Sequence, residues 1–149
     1  MKHEVYPTQE VTSNFDTFDF VSYGKKGSIH KRIMFTPTEE KDVYNLAFGD
    51  LDEQGGIDDY AISGNGDRDK ILATIADVVE RYFARYPDRC IYFHGSTPAR
   101  TRLYRMAIGA HLEELSRKFK IYVNGDTVPF VKDMSVADFV VKARINVTK

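Results

Sequence analysis

Apolar and polar residues alternate with a period of two over 15–23 and again over 28–36. Phe18 and Phe20 fall on one parity and Val21 and Tyr23 on the other; beyond Gly24-Lys25-Lys26-Gly27, Ile29, Ile33 and Phe35 alternate against His30, Arg32 and Met34. Two half-buried strands joined by a glycine-bounded turn predict a β-hairpin. Residues 43–49 alternate again, with Tyr44, Leu46 and Phe48 together, so they predict a third strand. Asp52-Glu53-Gln54-Gly55-Gly56 reads as a tight turn, with Ile57 to Ser63 returning as a fourth strand. Residues 1–14 show little periodicity and predict an irregular segment with one short extended piece.

The period then changes. Ile71, Ile75, Val78, Tyr82 and Tyr86, flanked by Leu72, Val79 and Phe83, recur at helical spacing over 68–86, after a loop ending in a cap at Asp67 and before the breaker Pro87. Arg89 to His94 is short and almost wholly apolar, as an interior strand is. Thr97-Pro98 reads as N-cap and first residue of a second helix, whose stripe is Tyr104, Ala107, Ile108, His111, Leu112, Leu115 and Phe119. Ile121-Tyr122-Val123 and Thr127 to Val131 form a hairpin around Asn124-Gly125, with Pro129 marking an exposed edge. Residues 139–147 alternate once more and predict a last strand.

These elements give an α+β class: a mostly antiparallel sheet of three or four N-terminal strands, helix, strand, helix and C-terminal strands, covered by two helices. The opening order also matches the start of a ribonuclease H-like sheet, a likeness of topology only. The 149 residues fit one domain, 1–149. Apolar residues are 42% and charged residues 29%, which excludes wholesale disorder, and a net charge of -1 excludes a chain-wide basic coat for nucleic acid. No apolar run is long enough for a membrane span, and the N-terminus lacks the apolar core of a secretion signal, so no membrane partner is expected. The single cysteine, Cys90, sits in an apolar run and reads as a buried, inert thiol of a cytoplasmic protein.

The most distinctive stretch runs from Tyr92 to Met106, Tyr-Phe-His-Gly-Ser-Thr-Pro-Ala-Arg-Thr-Arg-Leu-Tyr-Arg-Met. A strand ends there in small hydroxyl residues and feeds a helix start, whose unpaired N–H groups and dipole attract anions. Arg100, Arg102 and Arg105 place three cations in the first two turns, where acids are favoured; a negative guest would resolve that mismatch. Ser96, Thr97, Arg100, Arg102 and Arg105 therefore form a candidate site for phosphate, with His94 beside it as a candidate acid/base or ligand. Against this, Ser96 and Thr97 also read as simple caps, the arginines as a solvated face, and Tyr92, Phe93 and Tyr104 as core rather than base-stacking rings. Charge is uneven: residues 100–120 carry +4 and residues 50–69 carry -6, which implies either opposed faces or mutual pairing.

No cysteine or histidine pair has metal-binding spacing, and no cofactor motif is present. Asp50, Asp52 and Asp58 are weak metal candidates, because the spacing partly imitates a calcium loop but puts Ala61 where a bidentate Glu is needed.

The stretch Tyr92 to Met106, with Tyr44-Asn45-Leu46-Ala47-Phe48-Gly49-Asp50 and the turn at Asp58-Asp59, resembles an uncharacterised bacterial family, chiefly from Bacteroidetes, over residues 15–123. The resemblance implies no chemistry, since the family is a domain of unknown function. It implies a gene setting beside another small reading frame, as in toxin–antitoxin pairs. The tail from Asn124 to Lys149 departs from the family's charged-aromatic tail. The expected function is a non-enzymatic binding module for a phosphate-bearing ligand, nucleic acid or nucleotide. The alternatives are a protein-interaction partner such as a toxin–antitoxin component, with an apolar patch or edge near Pro129, and a metal-dependent nuclease, which needs Asp19, Asp50 and Asp58 to converge.

Overall fold

The computed structural model describes residues 4–58, 65–125 and 128–144. In chain order the elements are β1 (Gln9–Glu10), β2 (Thr17–Gly24), β3 (Gly27–Pro37), β4 (Val43–Leu51), β5 (Ile57–Asp58), α1 (Arg68–Arg85), β6 (Cys90–Phe93), α2 (Pro98–Ala110), α3 (Leu112–Lys118), β7 (Phe119–Val123), β8 (Val128–Pro129) and β9 (Phe139–Ala143). The strands form one sheet in the order β1-β2-β3-β4-β6-β9-β7-β8, with β5 on the end of β4. Among the described residues only β4 and β6 run parallel, and α1 is the crossover between them.

The alternation in the sequence sets which face is buried. Phe18, Phe20, Ile33 and Phe35 are at most 3% exposed, and the register continues their face through Phe48, Leu46 and Tyr44 to Ile91, Val141 and Ile121. The helices pack on that face. Tyr82 of α1 stacks on Phe35 with ring centroids 3.9 Å apart, and Val78, Phe83, Ile108 and Leu115 complete the core. Deleting one such ring would cost roughly 3–5 kcal/mol. The other face carries Met34, Ala47, Tyr92 and Tyr122, none of which joins the core.

Several expectations are corrected. The second helix does not run unbroken to Phe119. It stops at Ala110 and restarts at Leu112, with His111 as hinge, so among the described residues three helices, not two, cover the sheet. Gly109 is a poor helix former, the His111 N–H turns back to Ile108 and Gly109, and the imidazole Nε2 lies 3.2 Å from Asp69. Glu113 and Glu114 then open α3 where its dipole favours acids. Phe119 belongs to β7. The last strand spans Phe139–Ala143 and is inserted between β6 and β7; residues 145–147 of that expectation lie outside the described residues, as do residues 59–63 of the expected fourth strand. Asp67 stands at the head of α1 without capping it. Its carboxylate instead accepts from the hydroxyls of Tyr6 and Ser22, which ties the N-terminal segment to the sheet. Tyr6, in a stretch expected to be irregular, is 5% exposed. Cys90 is half-buried on the outer face, not in the core.

Candidate functional site

The β6–α2 junction is built tightly. Gly95 N–H donates to Thr101 Oγ1 at 3.0 Å. A Cβ on Gly95 would lie 2.5 Å from the Thr101 nitrogen and 2.6 Å from Arg100 Cβ, so only glycine lets the loop lie against the first turn of α2. Thr97 is the N-cap, in extended conformation. Its Oγ1 accepts from both the Arg100 N–H and Arg100 Nη1, each at 3.2 Å, and its carbonyl accepts from the Thr101 N–H at 3.0 Å. Pro98 has no N–H to offer. Of the early donors, those of Thr97 and Ala99 are left for a ligand or water, and no acid occupies the first turn.

The predicted residues divide into two groups. His94, Ser96, Thr97 and Arg100 lie together at the opening of α2, with His94 and Ser96 exposed and His94 Nδ1 2.7 Å from the Gly95 carbonyl oxygen. Arg102 and Arg105 lie further round the helix, since two residues turn it by about 200°. Arg102 is exposed. Arg105 is 3.9 Å from Asp133, a long contact to an exposed carboxylate that neutralises little. Within the acidic 50–69 segment, Asp69 pairs with His111 across to the basic segment.

The acids are deployed structurally. Asp50 pairs with Lys31, which is only 3% exposed. Asp58 faces Asp50 across the β4–β5 ladder. Asp52 accepts from the N–H groups of Gln54 and Gly56 and so shapes the hairpin turn. Asp19 pairs with Arg32, the neighbour of Lys31 on β3, and therefore projects from the opposite face of the sheet. The convergence that a metal-dependent nuclease needs is not there, and among the described residues no three His, Cys, Asp or Glu side chains are grouped to hold a metal ion. The likeness to a ribonuclease H-like sheet ends at the element order.

Two features were not legible beforehand. The first is a cavity of about 330 Å3 between the helices and the buried face of the sheet. Leu72 and Ala76 of α1, Tyr104 and Ile108 of α2, Phe93 and Ile121 of the sheet give it an apolar wall, and His94 and Ser96 stand at its rim. Tyr104 lies one turn beyond Arg100 on the same side of α2, so the cavity and the helix opening adjoin. Ala76, a small residue in a helix face of large ones, was the one local sign. The second is a cage around Arg89, whose guanidinium lies 4.0 Å from the Tyr44 ring centroid and 3.6 Å from that of Tyr86. On the outer face, the Tyr92 hydroxyl is 3.3 Å from Asp138; burial first, and the nearby carboxylate second, raise its pKa above the ordinary tyrosine value.

No helix among the described residues is long and apolar enough to cross a membrane. No curated protein and no solved structure matches the chain. A family model does: residues 2–144 match DUF6934, a family of unknown function, and the chain belongs to that family.

Proposed function

We propose that the protein is a non-enzymatic binding module of the cytoplasm. Its ligand is a small molecule with an apolar body in the cavity and an anionic group, phosphate or carboxylate, at the rim beside His94, Ser96, Thr97 and Arg100. The cavity carries this reading. The hollow of about 330 Å3 is partly open to solvent and lined mostly by apolar side chains, whose burial a ligand would complete. Ligand pockets begin near about 300 Å3, and walls this apolar hold ordered water poorly. At the rim, the helix dipole and the positive charge of Arg100 favour a negative group.

The test is a titration with 1-anilinonaphthalene-8-sulfonate, an aromatic body with one anionic group. Saturable one-to-one binding, displaced by a medium-chain alkyl phosphate or carboxylate, is expected. Arg100→Ala should weaken binding about two- to five-fold at low salt. Unsaturable binding, or an affinity indifferent to Arg100→Ala, would overturn the reading.

A second reading, a protein-interaction partner such as a toxin–antitoxin component, is favoured by one surface. Val128 and Val131 beside the edge residue Pro129, and Leu103 and Met106 of α2, are all exposed. The Arg105–Asp133 contact and the packing of Lys132 on Gly109 bring these segments together. Co-purification of a defined partner from the native operon, lost in Val131→Asp, is the outcome that would support it.

A further inference from the structure

The face of the sheet turned away from the helices has a chemistry of its own. Across β6, β9 and β7 the register aligns Tyr92, Val140 and Tyr122 in one row and Cys90, Lys142 and Lys120 in the next. Alternate strands lie about 10 Å apart, so the two tyrosines stand side by side with one valine between them. His94 extends the row of rings, its centroid 5.7 Å from that of Tyr92 at 70°, and Lys142 Nζ lies 5.3 Å from the Tyr122 ring. These three strands contain two lysines and no acid. A solvated antiparallel face ordinarily alternates to polar residues; this one presents aromatic rings backed by cations.

We propose that this face binds single-stranded nucleic acid, with bases stacked on Tyr92, Tyr122 and His94 and the phosphate backbone led past Lys120 and Lys142. Aromatic rings take bases of any identity once these are unstacked from a duplex, and lysines supply the sequence-independent attraction to phosphate. Lys120 and Lys142 outnumber Asp138, whose carboxylate is engaged by the Tyr92 hydroxyl, which favours a polyanion over a protein partner. The half-buried tyrosine rings favour single strands over duplex, whose bases are not offered to a sheet. The surface lies on the opposite side of the sheet from the cavity and meets its rim at His94; the inference goes beyond the small-ligand reading and does not depend on it.

The test is fluorescence anisotropy with a fluorescein-labelled oligouridylate of about twelve nucleotides, using the full chain at low and high salt. Binding should weaken steeply with salt. Tyr122→Ala should weaken it about tenfold while Tyr122→Phe retains it, and Lys120→Glu, at an exposed position that leaves the fold intact, should weaken it and flatten the salt dependence. Failure to bind at low salt, indifference to both Lys120→Glu and Tyr122→Ala, or equal displacement by duplex DNA would overturn the proposal. A complex with a protein that buries this face and is unaffected by the oligonucleotide would overturn it too.

Discussion

The guanidinium of Arg89 stacks on the ring of Tyr86, 3.6 Å from its centroid. It is also held 4.0 Å from the Tyr44 centroid, and its Nη1 donates to the Tyr82 hydroxyl at 3.0 Å. Arg89 sits at the turn between α1 and β6, and Tyr44 lies on β4 opposite Ile91. One side chain therefore locks the helix end, the turn and the parallel strand pair that brings the β6–α2 junction into place.

Arg89→Ala should lower stability by about 2 kcal/mol, from the lost cation–π contacts and the hydrogen bond to a charged donor. Arg89→Lys should recover only part of that, because an ammonium lacks the planar surface that lies between two rings. Urea midpoints of the three proteins check this. Equal stability of the lysine variant and the wild type would mean that charge alone, not stacking, holds the turn.

Burial is the main reason that the Tyr82 hydroxyl titrates above the ordinary tyrosine value of 10.0, and the Arg89 hydrogen bond works against that rise. A raised folded-state pKa means that the unfolded chain gives up its proton first. The associated stability is fully present below pH 10 and is lost as pH climbs through the folded value. Denaturation midpoints should accordingly fall above pH 10, and Tyr82→Phe should fall less steeply over that range.

Gly95→Ala should cost about 2 kcal/mol or more, because the added methyl meets the backbone of Thr101 and Arg100, which cannot yield without moving the start of α2. Circular dichroism on melting should show the loss. The same variant should weaken ligand binding at the rim, since Ser96 and Thr97 are positioned by this contact. An unperturbed melt would show that the loop stands off the helix in solution.

Ala76→Leu should fill part of the cavity. Ala76 lines the hollow from α1, and leucine is a good helix former. Thermal stability should rise by about 1 kcal/mol, and binding of the anilinonaphthalene probe should fall sharply. Higher stability with undiminished binding would place the probe elsewhere on the surface.

Much of this architecture can be read along the chain. Alternation at Phe18, Phe20, Ile33 and Phe35 marks strands and their buried side, because a strand exposes its two faces in strict turn. Thr97-Pro98 marks a helix start and Asn124-Gly125 a hairpin turn, where φ is 54° and 99°, because these conformations are decided within a few residues. The candidate residues His94, Ser96, Thr97 and Arg100 are neighbours in sequence, so their grouping at the helix opening was visible too.

What periodicity reports is that a side is buried, never by which neighbour. That β9 enters between β6 and β7, that Ala76 and Ile108 line one hollow, and that Tyr92 and Tyr122 share the outer face all depend on pairings between segments far apart in the chain. Such pairings are settled by the joint packing of the whole sheet against its helices, with the loop-closure entropy of each connection weighed against the surface it buries. The amino-acid pattern determined most of the strands, the first helix and the turn that opens the second. Only the tertiary structure decided which of their faces meet and what hollow they enclose.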